Sequence, residues 1–229
     1  NCESCGSSDA CAVYSDGSTF CFSCRKTQAK GTTQDTEVVF DVVQSNLSLD
    51  EIESLPVDTF RNISKKVLYN AGVKVEYDQD RNIISHYYPI TINKKVKAYK
   101  KRIVATKDFR VVGKAEVPEL FNQSNCGRYK NLVITEGEID CLSIIEMLTK
   151  AKAKFDVVSI VNGAQSARRN IASNLDFINK YDKVFLAFDN DEPGIASAND
   201  AAHVVKPGKC HIVTSVYKDA NDALCKEQS

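Results

Sequence analysis

After Lys130 the chain alternates apolar runs with amphipathic segments: LVIT, a helix from about Ile139, VVSIV, a helix from about Gln165, KVFLAF, a helix from about Glu192, CHIVT, and a helix from about Asn221. A helix between two strands carries the chain back to the starting edge, so the strands run parallel, and such a sheet needs helices on its faces to shield it. Residues 131–229 are therefore expected to form an α/β unit, a parallel sheet flanked by helices. In sheets of this kind ligands collect beyond the carboxyl ends of the strands. Those ends read TEGEID, VNGAQS, FDNDEPG and SVYKDAND, and three of the four are acidic.

Asp189, Asp191 and Glu192 place three carboxylates in four residues, where they raise one another's pKa unless a cation sits among them. Asp189 and Asp191 are two apart, so an extended backbone aims both side chains the same way. Glu136 and Glu138 follow LVIT in the same manner. If those two strands are neighbours, Glu136, Asp189 and Asp191 converge on an oxygen-lined hollow suited to Mg²⁺, which takes a few carboxylates together with substrate phosphates. Gly137 and Gly194 would let the backbone turn sharply beside it. The competing reading is that the acids cap the helices that follow, where negative charge is favoured. Capping accounts well for Asp140 and Glu192, and poorly for acids at several strand ends at once.

The other end of the chain is organised by cysteine. Cys2-x-x-Cys5 and Cys21-x-x-Cys24, fifteen residues apart, supply two thiolate pairs at the spacing of one tetrahedral structural zinc. Residues 1–24 are too short for a core of their own, so metal binding would supply the folding energy. Between the pairs, YSDGSTFCF carries the Asp-Gly signal of a hairpin, giving a small all-β zinc ribbon. Tyr14, Phe20 and Phe22 would either fill its core or stack on unpaired bases. RKTQAKGTTQDT is polar and aperiodic, so residues 25–36 are expected to be a flexible linker. Cys11, Cys126, Cys141, Cys210 and Cys225 have no motif spacing, as in a reducing compartment, and packing is the default role of Cys126, Cys141, Cys210 and Cys225.

Residues 37–130 are expected to form an α+β subdomain. SLDEIESL carries a capping-box signal at Ser48 and Glu51, SKKVLYNAG ends on Gly72, and NIISHYYPITI and KVKAYKKRIVAT are β-rich. Net charge is zero, but its distribution is uneven: Arg61 to Lys114 holds fourteen Lys or Arg against four acids. That excess is what a phosphate-binding surface requires. No apolar run is long enough to span a bilayer, so no membrane partner is expected. Met147 is the only methionine, so residue 1 is expected to be a cut end or the start of an ordered segment.

With these motifs in view, the sequence resembles a known family. TEGEID followed by FDNDEPG is similar to the TOPRIM signature of primases, topoisomerases and some nucleases. With CESCGSSD, SDGSTFCFSC, ISKKVLYNAG and KDAN in the same order, the chain resembles the primase half of the T-odd bacteriophage primase-helicases over nearly its whole length. The resemblance implies a zinc ribbon joined through a basic subdomain to a TOPRIM unit, and a primase making short RNA on single-stranded DNA template. It implies Cys2, Cys5, Cys21 and Cys24 as zinc ligands, and Glu136, Asp189 and Asp191 as catalytic acids holding Mg²⁺ or Mn²⁺, with Asp219 as an additional acid. Aligning AYKKRIVATKDFRVVG on Phe109 and Gly113 puts the family's essential lysines at Lys101 and Lys107, and a shift of one substitutes Lys100. Template and nucleotide contacts are implied at Asp16, Ser18, Lys100, Lys101, Arg102, Lys107 and Arg110.

Ser18 stands where well-known members have a His that helps read the template, so their start trinucleotide does not carry over. The partners implied are single-stranded DNA, ribonucleoside triphosphates, a replicative helicase in the same chain or separate, and a replicative DNA polymerase. The location implied is cytoplasmic, that of the host if the protein is phage-encoded. Glu136 would act either as metal ligand or as base. The rival readings are a TOPRIM nuclease using the same acids and a non-catalytic DNA-binding or helicase-associated module.

Overall fold

The computed structural model describes the backbone of residues 11–13, 19–21 and 27–28, and residues 47–161, 163 and 166–226 with their side chains. Strands β1 (Cys11–Val13), β2 (Thr19–Cys21) and β3 (Thr27–Gln28) form an antiparallel sheet in the order β1-β2-β3. Cys2, Cys5, Cys24, Asp16 and Ser18 lie outside the described residues, and of Cys21 only the backbone is described. Strand β3 falls inside the segment expected to be linker: Phe20 pairs with Thr27 and Thr19 with Gln28. The sheet thus extends past residue 24. A two-residue polar edge strand has no apolar alternation by which sequence could mark it.

Two short helices follow where their caps predict them. In α1 (Leu49–Glu53) the Ser48 side chain accepts from the Glu51 N–H, and the Glu51 carboxylate accepts from the Ser48 N–H at 2.7 Å, a complete capping box. Ser64 caps α2 (Lys65–Asn70), and Gly72 ends that turn at φ +71°, a left-handed position that glycine tolerates. Strands β4 (Lys74–Tyr77), β5 (Ile83–Ile92), β6 (Lys95–Ile103) and β7 (Phe109–Gly113) then form an antiparallel meander in chain order. Its two faces do different work. Tyr87 and Tyr99 pack on Ile52, while Ile90 and Ala98 pack on Val161 and Tyr88 joins Leu142 and Val133, so the second face meets the parallel unit.

The parallel unit has the predicted alternation: β8 (Asn131–Thr135), α3 (Glu138–Lys150), β9 (Asp156–Ser159), α4 (Ala167–Ser173), α5 (Leu175–Ile178), β10 (Lys183–Ala187), α6 (Glu192–Ala202), β11 (Cys210–Ile212) and α7 (Ala220–Lys226). The strand order is β11-β10-β8-β9, with every pairing parallel. Leu132, Ile134, Val184 and Leu186 bury one face against Ile171, Ala198 and Ala201 of α4 and α6. Val133 and Val157 bury the other against Cys141, Leu142 and Leu224 of α3 and α7. Alternate residues of β8 thus feed opposite cores, as the period of a strand dictates.

Leu120 and Phe121 are buried one in each of these cores, and Phe121 bridges to Ser159 of β9. The chain therefore enters the parallel unit ahead of the boundary expected at residue 131. Among the described residues no helix is long and apolar enough to cross a membrane.

Candidate active site

Strands β8 and β10 are hydrogen-bonded neighbours, with Ile134 opposite Leu186 and Thr135 opposite Ala187. Glu136 and Asp189 therefore leave adjacent strands at the same end of the sheet, the arrangement on which convergence depends. Asp191 follows as the N-cap of α6, its Oδ1 accepting from the Gly194 N–H at 2.9 Å. Asp219 does the same for α7, its Oδ1 accepting from the Asp222 N–H at 2.7 Å. The sequence offered capping and ion binding as competitors, but one carboxylate has two oxygens and capping occupies only one.

The electrostatics mark these acids as a cluster. Burial, then the charges of Asp189, Asp191 and Asp140, push the Glu136 carboxyl up to about 7. Burial, then Asp219 and Asp191, push Asp189 up to about 6. Asp140 rises to about 7 through burial and the charges of Asp189 and Asp219. Asp140 thus shares the charge cluster, although sequence assigned it to helix capping. Spacing gave no signal for it, since Glu136 lies before the first turn of α3 and shares no helical face with Asp140. Its Oδ1 accepts from the Asn221 N–H at 3.1 Å, which ties it to the KDAN segment.

The fit of this cluster to a divalent ion can be tested on its own atoms. Glu136 Oε2 is buried and has no hydrogen-bond partner among the described residues. A buried carboxylate oxygen left unpaired costs free energy that a cation would recover. Hard oxygen donors of this kind suit Mg²⁺ or Mn²⁺. Among the described residues no three acids, cysteines or histidines are drawn together closely enough to hold an ion by themselves. Mg²⁺ does not require it, since it keeps several waters and shares its remaining positions with substrate phosphates.

The second face of the meander reaches the start of α3 and the end of β9. Lys100 Nζ lies 2.8 Å from Glu138 Oε1 and donates to the Val161 carbonyl at 3.0 Å. Arg102, two residues on and on the same face, has its Nε buried with no hydrogen-bond partner among the described residues. Phe109 of β7 lies below both cations, 4.5 Å from Lys100 Nζ to the ring centre. His86 stacks on Phe60 at 3.8 Å between ring centres; burial, then the charges of Arg102 and Arg61, push its pKa down to about 4, so it is neutral at pH 7.

The alignment-based positions Lys101 and Lys107 are elsewhere. Lys101 is on the opposite face of β6, 9% exposed, 2.9 Å from Glu76 Oε2 and over the Tyr87 ring. Lys107 is exposed in the β6–β7 turn at φ +61°. Arg110 pairs with Lys101 in register and is exposed. The one-residue shift that substitutes Lys100 therefore changes the face of the sheet. Asn162, Ala164 and Gln165 of VNGAQS lie outside the described residues.

Comparison with known proteins agrees with this architecture. Residues 133–224 match the Toprim-like family. The chain is 31% identical over 245 residues to the DNA helicase/primase of enterobacteria phage T3, covering 96% of this chain but only 40% of that protein. The crystal structure of the primase fragment of the bacteriophage T7 primase-helicase superimposes with a TM-score of 0.66 at 29% identity, over 100% of this chain and 94% of that one. A T7 assembly in which lagging-strand DNA polymerase interacts with primase domains bound to an RNA/DNA hybrid and dTTP matches with a TM-score of 0.63 at 28% identity, over 73% of this chain and 83% of that one. The chain is a homologue of the phage T3 and T7 helicase/primases, corresponding in structure to the T7 primase fragment and carrying a Toprim-like region at residues 133–224.

Proposed function

We propose that the chain is a primase, a DNA-directed RNA polymerase that joins ribonucleoside triphosphates de novo into short primers on single-stranded DNA. The observation that carries this reading is the acid cluster: the carboxylates of Glu136, Asp140, Asp189, Asp191 and Asp219 sense one another beyond the carboxyl ends of β8 and β10, and Lys100 of β6 reaches Glu138 in the adjoining first turn of α3. Phosphoryl transfer asks for such a pairing, since it is achieved mostly by positioning and charge compensation. Glu136, Asp189 and Asp191, with Asp140 and Asp219 beside them, would hold Mg²⁺ or Mn²⁺. When bound, such an ion neutralises phosphate charge and makes an attacking 3′-hydroxyl more acidic.

Lys100 and Arg102 hold the triphosphate of the incoming nucleotide against the acids, with the planar guanidinium suited to two phosphate oxygens at once. Lys100 takes the essential-lysine role, because it lies on the face of β6 that meets the parallel unit and reaches Glu138 at the start of α3, whereas Lys101 is paired with Glu76 on the opposite face. Phe109, 52% exposed beside these cations, offers a ring on which a base stacks. Lys107 and Arg110, exposed at the rim, contact template phosphates. Cys2, Cys5, Cys21 and Cys24 bind one structural zinc, and Asp16 and Ser18 in that unit contact template bases. A replicative helicase and a replicative DNA polymerase are the protein partners, the latter supported by the T7 assembly, and the site of action is the host cytoplasm.

The test incubates the protein with Mg²⁺ or Mn²⁺, labelled ribonucleotides and single-stranded DNA templates of varied sequence, and resolves the products by size. Short RNAs on some templates, lost in Asp189→Ala, are expected. Cut DNA without RNA would instead assign the same acids to a nuclease.

A further inference from the structure

A second basic surface lies at the other end of the parallel sheet. A groove of about 610 Å³ opens beside the amino-terminal ends of β8 and β9, between α2 and the carboxyl end of α3. Four cations line it and come from three separate pieces of chain: Lys66 from α2, Arg128 from the loop before β8, and Lys152 and Lys154 from the stretch after α3. Among the described residues none of the four is in an ion pair. The one acid in the groove's lining, Asp156, is buried and engaged by the backbone of the neighbouring loop. Its Oδ2 accepts from the backbone N–H groups of Gly127, Arg128 and Tyr129 at 2.7, 3.1 and 3.3 Å and from the Tyr181 hydroxyl at 2.9 Å.

Those same bonds fix the loop that carries Arg128 and Tyr129 against the groove. Tyr129 is 39% exposed there, an accessible ring beside uncompensated positive charge. Helix α3 has thirteen residues, about 20 Å at 1.5 Å per residue, so the groove stands roughly a helix length from the acids and takes no part in the chemistry. Cations without counter-charges beside an aromatic face, in an open groove, are the recognition chemistry of a single-stranded polynucleotide: phosphates meet the cations and a base meets the ring.

We infer that the groove between α2 and α3 is a second site for single-stranded nucleic acid, holding a phosphodiester strand through Lys66, Arg128, Lys152 and Lys154 with a base on Tyr129. Only the choice of a polynucleotide as the polyanion rests on the proposed function. Because the site spans the antiparallel subdomain and the parallel unit, a strand seated there anchors the protein while the cleft remains open to nucleotides. DNA and RNA share this backbone chemistry, and the test distinguishes them.

Fluorescein-labelled oligo(dT) and oligo(U) are titrated against wild type, Arg128→Glu/Lys154→Glu, Lys66→Gln/Lys152→Gln and Tyr129→Ala over a range of salt, with each change repeated on an Asp189→Ala background. Charge reversal is expected to weaken binding at least about tenfold at low salt, and each removed cation to flatten the log–log salt dependence by about 0.7. Tyr129→Ala weakens binding without changing that slope. The larger loss, for oligo(dT) or for oligo(U), identifies the strand as DNA or RNA. Asp189→Ala leaves these differences unchanged, so the groove is judged independently of whether the cleft makes RNA. Unchanged affinity and slope in both charge variants would overturn the inference, as would a loss confined to poly(Glu) used as a control polyanion.

Discussion

Lys100 and Glu138 form a mostly buried ion pair, Nζ to Oε1 2.8 Å, that joins β6 to the first turn of α3. Removing one partner of such a pair leaves an uncompensated charge inside the protein, at a cost of about 3 kcal/mol or more. Lys100→Met is therefore expected to lower Tm and to abolish most RNA synthesis. In Lys100→Met/Glu138→Gln the stranded charge is gone, so Tm recovers while synthesis does not. Recovery of both would show that Lys100 acts only as a structural partner. Lys101→Met, on the opposite face beside Glu76, should lower Tm with a smaller loss of kcat/KM than Lys100→Met.

The acid cluster makes stability depend on pH and on divalent ions in a fixed direction. Glu136 and Asp140 are raised to about 7 and Asp189 to about 6, above the range near 4 that they have when unfolded. Between pH 4 and 7 the folded protein thus binds more protons than the unfolded chain, so stability falls as pH rises through that window. Without divalent ions, Tm should drop from pH 5 to pH 8, and Mg²⁺ should restore it at pH 8 far more than at pH 5. Asp189→Asn removes one repelling charge and should stabilise the ion-free protein at pH 8 by about 1 kcal/mol, after allowance for solvent screening. A melting series with and without EDTA decides it: a pH-independent Tm would mean the carboxylates do not sense one another.

Much of this site was legible because the signals were local. The acids sit at fixed offsets from apolar runs, and adjacency of β8 and β10 was the one assumption needed to bring Glu136 to Asp189 and Asp191. What escaped was set by register and by contacts distant in sequence. KKR in β6 offers two lysines one residue apart, and which of them faces the parallel unit depends on which face Tyr88 and Ala98 bury. Asp140 sits in a first helical turn, where an acid is expected for capping alone, and only the approach of Asn221, eighty-one residues on, shows it facing inward. Strand β3 is too short and polar to show a period, and the bridge of Phe121 to Ser159, which brings Leu120 and Phe121 into the parallel unit, is a tertiary contact that leaves no periodic trace.

Gly194 is required by crowding rather than by its backbone angles. A side-chain carbon added there would meet the Asp189 carbonyl, a backbone atom that can yield only by moving the whole DND turn. Gly194→Ala should therefore displace Asp189 and Asp191 together. A misplacement of about 1 Å in a phosphoryl-transfer site costs roughly a hundredfold in rate. RNA synthesis is expected to fall by about that factor, with a modest change in Tm. Wild-type rates would mean that the turn adapts without moving its acids.

Asn221 is a buried hub between the Arg61 turn and helix α3. Its side-chain oxygen accepts from Arg61 Nη1 at 3.3 Å, its Nδ2 donates to the Arg61 carbonyl at 3.1 Å and to Ser143 Oγ at 3.0 Å, and its backbone N–H holds Asp140. Arg61 has a left-handed φ of +50°, which side chains other than glycine adopt only when their surroundings hold them there. Asn221→Ala strips both supports from that turn and should cost about 1–3 kcal/mol. Asn221→Asp keeps the shape but replaces a donor with a charge beside Asp140, so it should be at least as destabilising and should lose more synthesis, with the deficit shrinking as Mg²⁺ is raised. Melting curves and rates across a Mg²⁺ titration separate the two effects: if Asn221→Asp matches Asn221→Ala at every Mg²⁺ concentration, Asn221 holds the subdomains together but has no hand in placing Asp140.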